Sequence, residues 1–186
     1  MEIRELAIKG VFEISLEPIE DKRGFFMRTY DSNIFEKFNI DSHWVQHNHS
    51  KSISAGIIRG LHLQLPPFSE AKLVRCINGK IMDVFVDLRL GSSSFGKWGK
   101  IELSEKNKKI VYIPQGFAHG FCTISDISEI VYQVNNYYSE KHEVGLLWND
   151  PDISIEWPEY DHIISEKDKK NITFKEFIKN YNGIKI

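Results

Sequence analysis

Two histidines stand in short frames suited to proton chemistry. His62 closes Gly56-Ile-Ile-Arg-Gly-Leu-His62, a G-x5-H spacing, and His119 closes Pro114-Gln-Gly116-Phe-Ala-His119, a P-x-G-x-x-H spacing. Imidazole titrates near neutral pH, so each can move a proton or ligate a metal. Two histidines without a well-placed third ligand hold a divalent metal poorly, which leaves acid–base or hydrogen-bonding work. The bland alternative is a hydrogen-bonded structural histidine on a strand. His43, His47 and His49 form a local cluster that reads as pocket lining and surface, not as a metal tract.

The elements that must position these groups are strands. Asn78-Gly79 between KLVRCI and KIMDVFVDLRL predicts a tight hairpin. After that turn Met82, Val84, Val86 and Leu88 alternate with Asp83, Phe85, Asp87 and Arg89, and the first set predicts a single core face. KWGKIEL, KKIVYI, FAHGFCTI and EIVYQVN follow as short strands, separated by SEKN, PQG and SDIS, which have turn chemistry. Many short strands at this spacing predict a mainly β protein, an antiparallel sandwich or barrel. Helices are confined to the flanks. Asp31-Ser32-Asn33 can cap a short helix over IFEKF. Near the C-terminal end Thr173 and Glu176 form a capping box, followed by a stripe of Phe174, Phe177, Ile178 and Tyr181 and a stop at Asn182-Gly183. No repeat or linker interrupts residues 1–186, so one domain is expected.

The two histidine frames resemble the half-motifs of the cupin superfamily, in the right order, and imply a small jelly roll. Metal-binding cupins continue as HxH with a following Glu. Here Gln64 takes the second histidine's place and Glu70 is displaced along the chain. A closer resemblance follows. Arg23-Gly-Phe-Phe26, Arg59-Gly-Leu-His62, Lys72-Leu-Val-Arg75, Asp83-x-x-x-Asp87-x-Arg89, Phe95-Gly-Lys-Trp98, Ile113 to Phe121, Tyr137-Tyr138, Trp148-Asn-Asp-Pro151 and Ser165-Glu-Lys-Asp168 are similar to the signature blocks of the dTDP-4-dehydrorhamnose 3,5-epimerase family.

That resemblance implies a substrate class, a nucleotide-diphosphate-linked 4-keto sugar whose C3 and C5 protons are acidified by the carbonyl. Inversion needs a base on one face and an acid on the other. The resemblance makes His62 the base, Asp168 the carboxylate that orients it, Tyr132 the acid and Lys72 the cation near O4. It makes Arg59 and Arg23 the diphosphate clamp and puts Gln46, Asn48, His119 and Glu143 in the pocket. It requires no metal or redox cofactor. It also implies a homodimer with exchanged N-terminal strands, which would carry Arg23 and Arg28 across the interface. The residues' own alternatives are plain ones: Tyr132 as a packed aromatic, Asp168 within EKDKK as a solvated charge run.

Three departures touch the nucleotide end. Arg28 and His47 stand where the family has acids, and RGLHLQ carries Leu63 where RGLHYQ is common. Inversion at C3, C5 or both stays open, and so does the substrate: the resemblance implies dTDP-4-keto-6-deoxyglucose, whereas arginine presents only donors and matches the O6/N7 edge of guanine, so Arg28 points to a GDP-linked 4-keto sugar, a heptose. Two other classes compete. One is a metal-dependent cupin isomerase or oxygenase using His47, His49, His62 and His119; the other is a non-catalytic sugar-nucleotide binding module.

Composition limits the partners. The 186 residues are 41% hydrophobic and 27% charged, with a net charge of −2. That balance speaks against nucleic-acid and polybasic membrane-surface roles, so any anion must be held by a local cluster of Lys and Arg. No apolar run is long enough to span a bilayer, the N-terminal stretch is charged throughout, and the two cysteines, Cys76 and Cys122, are not a CxxC pair. A cytoplasmic protein with buried thiols is expected.

Overall fold

The computed structural model describes residues 1–40 and 43–186. The chain begins with β1 (Glu2–Glu5) and β2 (Phe12–Ser15), then a small hairpin of β3 (Ile19–Asp21) and β4 (Gly24–Phe26). Helix α1 (Ser32–Phe35) runs into a 3₁₀ turn, followed by β5 (Gln46–Ser52), β6 (Ile57–Gln64), β7 (Lys72–Asn78) and β8 (Lys80–Asp87). Next come β9 (Trp98–Ser104), β10 (Lys109–Ile113), β11 (Phe117–Thr123) and β12 (Ser128–Val134). The short strands β13 (Glu143–Gly145) and β14 (Ile163–Ile164) precede helix α2 (Phe174–Tyr181).

Two sheets make the jelly roll. One has the order β1-β2-β10-β7-β12-β5, and the other β13-β6-β11-β8-β9, with β14 added parallel to β6. Between them Val74, Cys76, Ile81, Phe85, Leu103, Val111, Phe117, Phe121 and Ile130 form the inner core. Both cysteines are free and buried, and burial pushes each thiol up to about 11.

Asn78-Gly79 does not close a hairpin. β7 pairs with β10 and β12, whereas β8 pairs with β11 and β9, so the turn carries the chain from one sheet to the other. Gly79 is required there: its φ is +74°, and a Cβ would lie 2.1 Å from the Ile127 carbonyl oxygen. Turn chemistry supplies the left-handed conformation whether or not the flanking strands pair with each other.

The expectation of one core face on β8 also needs correction, because both faces are buried. Ile81 and Phe85 point between the sheets. Met82, Val84, Val86 and Leu88 lie on the outside, covered with Leu61, Leu63, Leu146 and Ile153 by Phe177 of α2. The alternation is real, but the polar set containing Asp83 is the one that faces the interior.

Helix α2 has its Thr173–Glu176 capping box, and Asn182 ends it with a φ of +56°. Of its apolar stripe Phe177 is buried, while Ile178 and Tyr181 each remain 37% exposed. Phe174 packs partly buried against the same outer cluster. At α1 the Asp31 side chain makes no cap; it accepts from Arg28 instead, at 3.1 Å.

Candidate active site

The register of β6 and β11 sets His62 opposite His119. The two strands approach closely beside this pair because of glycine. A Cβ on Gly60, whose φ is +118°, would stand 2.6 Å from the Cα of Gly120.

His62 takes its orientation from the far end of the chain. β14 pairs with Ile57 and Ile58 of β6, which brings the segment after it alongside, and Nε2 of His62 lies 2.7 Å from Oδ1 of Asp168. The other oxygen of Asp168 accepts the Gly60 N–H at 3.2 Å, and the Asp168 N–H is held by Ser165 Oγ at 3.0 Å. Burial works against ionising this carboxyl. The hydrogen bond and charge of His62, with Gly60 and Ser165, outweigh it and hold Asp168 below the usual carboxylate range. An ionised carboxylate can only accept, so the ring hydrogen sits on Nε2 and the lone pair on Nδ1.

Tyr132 reaches the same cavity from the opposite sheet, on β12 between Asn48 and Val74 of the neighbouring strands. Burial is the main force raising its phenol above the usual value; the charges of Glu70 and Glu143 add to this and Arg59 opposes it. The group is thus held protonated as a donor. Lys72 begins β7, almost fully buried, with Nζ 3.1 Å from Oε1 of Glu70 and 3.4 Å from the His62 carbonyl oxygen to which it donates.

The cavity holds about 770 Å³, with Arg59, Lys72, His62, His119, Tyr132 and Asp168 among its lining. An adjoining recess of about 170 Å³ shares His62, Lys72 and Tyr132 and adds Gln46, Asn48 and Glu143. Arg59 rests on Ser52 Oγ at 3.3 Å and the Lys51 carbonyl at 3.2 Å. His119 has its own carboxylate: Nε2 lies 2.9 Å from Oδ2 of Asp83, which has no solvent exposure. Burial raises the Asp83 carboxyl, against the opposing pull of His119 and Lys72, and its Oδ1 has no hydrogen-bond partner.

The remaining expected residues are not at this site within one chain. Arg23 is exposed at the β3–β4 turn, paired with Asp21 at 2.6 Å, and Arg28 is paired with Asp31; neither lines either recess. On β5 residues alternate, so Gln46 and Asn48 face in while His47 is exposed on the other face. The Leu63 side chain packs in the outer apolar cluster. The proposed histidine metal set does not assemble: His49 turns to Glu129 at 3.0 Å, His62 to Asp168 and His119 to Asp83. Among the described residues no three His, Cys, Asp or Glu side chains converge as ligands.

Four residues at the site were given no role there from sequence. Lys167 lines the cavity and donates to Glu143 at 2.6 Å, and Tyr138 donates to the same oxygen at 2.9 Å. Buried Asp83 and partly buried Glu70 are the partners of His119 and Lys72. Lys167, Tyr138 and Asp83 all lie inside the signature blocks, which was the available signal; Glu70 lies in none of them.

The family model for dTDP-4-dehydrorhamnose 3,5-epimerase matches residues 5–176. The chain belongs to the dTDP-4-dehydrorhamnose 3,5-epimerase family. It is 46% identical to the Shigella flexneri dTDP-4-dehydrorhamnose 3,5-epimerase over 169 residues, 90% of this chain and 93% of that one. The fold is similar to the Elizabethkingia anophelis epimerase, with a TM-score of 0.90 and 42% identity over 95% of this chain and 97% of that chain. It also matches the Legionella pneumophila dTDP-6-deoxy-D-glucose-3,5-epimerase, solved in complex with dTDP-4-keto-L-rhamnose, with a TM-score of 0.92 and 33% identity over 100% and 98%. This epimerase family is a group of carbohydrate isomerases acting on nucleotide sugars, and the metal-dependent and purely binding readings find no support.

Proposed function

We propose that this chain inverts C3 and C5 of dTDP-4-keto-6-deoxyglucose, with His62 as base and Tyr132 as acid. The observation that carries the reading is that these two side chains enter one cavity from opposing sheets, as inversion at a planar enolate demands. Nδ1 of His62 removes the proton α to the carbonyl, and Asp168 stabilises the imidazolium so formed. The electrons pass to O4, where the Lys72 ammonium offsets the oxyanion. Tyr132 returns a proton to the opposite face and is recharged from solvent, to which the His62 imidazolium releases the proton it took. Arg59 is the in-chain cation suited to the diphosphate.

The relatives named above are dTDP enzymes, so the GDP-heptose expectation loses its support. Incubation with dTDP-4-keto-6-deoxyglucose in heavy water tests the proposal: deuterium enters C3 and C5 with inversion. Exchange at neither carbon, or preferential binding of GDP over dTDP in titration, overturns it.

The partner reading is a homodimer in which the β3–β4 hairpin of each protomer completes its neighbour's site. Ile19, Phe25 and Phe26 are 72%, 53% and 67% exposed on that hairpin, apolar surface that a second copy would cover, and Arg23 sits at its tip. Light scattering of the wild type and of Phe26→Asp checks this; a monomeric, fully active wild type refutes it. Buried thiols and the absence of any helix among the described residues able to cross a membrane accord with a cytoplasmic site of action.

A further inference from the structure

Gln64 occupies the place at which metal-binding cupins carry a second histidine, and proton transfer as described does not use it. It is nearly fully buried, yet all of its polar capacity is engaged. Oε1 accepts the Ser139 N–H at 2.5 Å. Nε2 donates toward the Phe68 carbonyl at 3.0 Å, the Tyr137 carbonyl at 3.1 Å and Oε2 of Glu70. The opposite oxygen of Glu70 holds Lys72 at 3.1 Å. A chain of contacts therefore runs from Gln64 through Glu70 to the ammonium in the cavity. A second branch runs through Tyr137 and Ser139 to the mouth segment, whose Tyr138 bonds Glu143 at 2.9 Å and Gln46 at 2.7 Å.

We propose that Gln64 is a positioning residue, which fixes the Lys72 ammonium through Glu70 and ties the mouth segment 137–139 to the same point. The inference rests on the epimerase reading given above. A carboxylate clamped on one oxygen by a buried amide is held from swinging, so its other oxygen stays against the lysine. With Gln64 removed, Oε2 of Glu70 loses its donor, and the carboxylate is free to turn away and leave the ammonium unanchored. An amide is suited to this junction because its two N–H bonds serve the carboxylate and carbonyls while its oxygen accepts the Ser139 N–H; a carboxylate cannot donate, and a neutral histidine has only one N–H.

Asn136 provides the comparison for tethering alone. Its Nδ2 bonds the Pro67 carbonyl at 3.0 Å and the Ser69 carbonyl at 3.3 Å, joining the same two segments without touching Glu70. Gln64→Leu is expected to lower kcat for deuterium exchange by about ten- to a hundredfold. Asn136→Ala should lower the melting temperature and keep kcat. Because Gln64 acts through Glu70, the Gln64→Leu/Glu70→Gln double variant should be no slower than Glu70→Gln alone, within about twofold. A crystal structure of Gln64→Leu should show the Glu70–Lys72 contact opened beyond about 4 Å. An intact contact overturns the proposal whatever the turnover, and so does an opened contact with unchanged kcat or an additive double variant. Absence of exchange by the wild type refutes the epimerase reading instead, and the crystallographic result still decides the positioning.

Discussion

The Asp168 carboxylate lies 2.7 Å from Nε2 of His62 although 106 residues separate the two in sequence. In the proposed reaction the contact fixes the tautomer of the base and supplies the counter-charge for its protonated form. His62→Ala is expected to reduce kcat by about 10²–10⁴-fold with KM within a few-fold of wild type. Asp168→Asn should give a loss of similar order, because an amide can hold the ring in the wrong tautomer. Steady-state kinetics check both; an Asp168→Asn enzyme of wild-type rate would show that orientation is unimportant.

Tyr132→Phe separates abstraction from inversion. The variant keeps the base but lacks the donor on the other face, so deuterium should wash into the substrate with retention while epimerised product falls by about 10²-fold or more. NMR of the recovered sugar distinguishes this from a variant that has lost exchange altogether, the outcome expected if Tyr132 served only packing.

Acid stability should depend on Asp87. Burial alone would raise this carboxyl, but Arg89 at 2.7 Å, Ser92 and Ser94 outweigh it and hold the group below the usual range. A depressed folded value means that its stabilisation is complete above the unfolded value of about 4 and is lost as pH falls through the folded one. Asp87→Asn should therefore be less stable by about 1–3 kcal/mol at pH 7, with the gap closing below about pH 4. Urea denaturation across pH measures it, and a gap that widens in acid contradicts it.

At the sheet-crossing turn, Gly79→Ala should cost about 2–4 kcal/mol, since the new methyl would meet the Ile127 carbonyl at 2.1 Å in a left-handed backbone. A loss below about 0.5 kcal/mol in denaturant titration would mean that the corner yields easily.

Asp83→Asn tests the second histidine–carboxylate pair. The raised Asp83 carboxyl makes its charge costly, so the amide should leave the melting temperature unchanged or higher at pH 7 while kcat falls, as the His119 ring loses the carboxyl that orients it. A large drop in melting temperature with unchanged kcat would assign Asp83 to folding alone.

Local signals were legible in the residues themselves. Alternation in 80–88, the turn pair at 78–79 and the capping box at 173–176 each depend on neighbours within a few positions, and each stands in the structure. What those signals could not carry was the partner. Asn78-Gly79 promises a left-handed turn, but whether the strands it joins pair or part is settled by β10 and β12 competing for β7. Alternation promises two unlike faces, but which one looks inward depended on α2 and the segment before it covering the other.

The site divides in the same way. By themselves the residues determined the strand-rich class, the two histidine frames and, through the signature blocks, the family. The residues around Asp168 read locally as a solvated run and only the family resemblance paired it with His62; tertiary structure shows it buried there, and tertiary structure alone decided that Asp83, read as a polar face, is the hidden partner of His119. It also decided that Glu70 and Gln64, read in sequence only as departures from a metal-binding motif, form a chain of contacts to Lys72. The physical reason is that burial and charge pairing are properties of what a residue faces across the fold, and the chain order does not encode that distance.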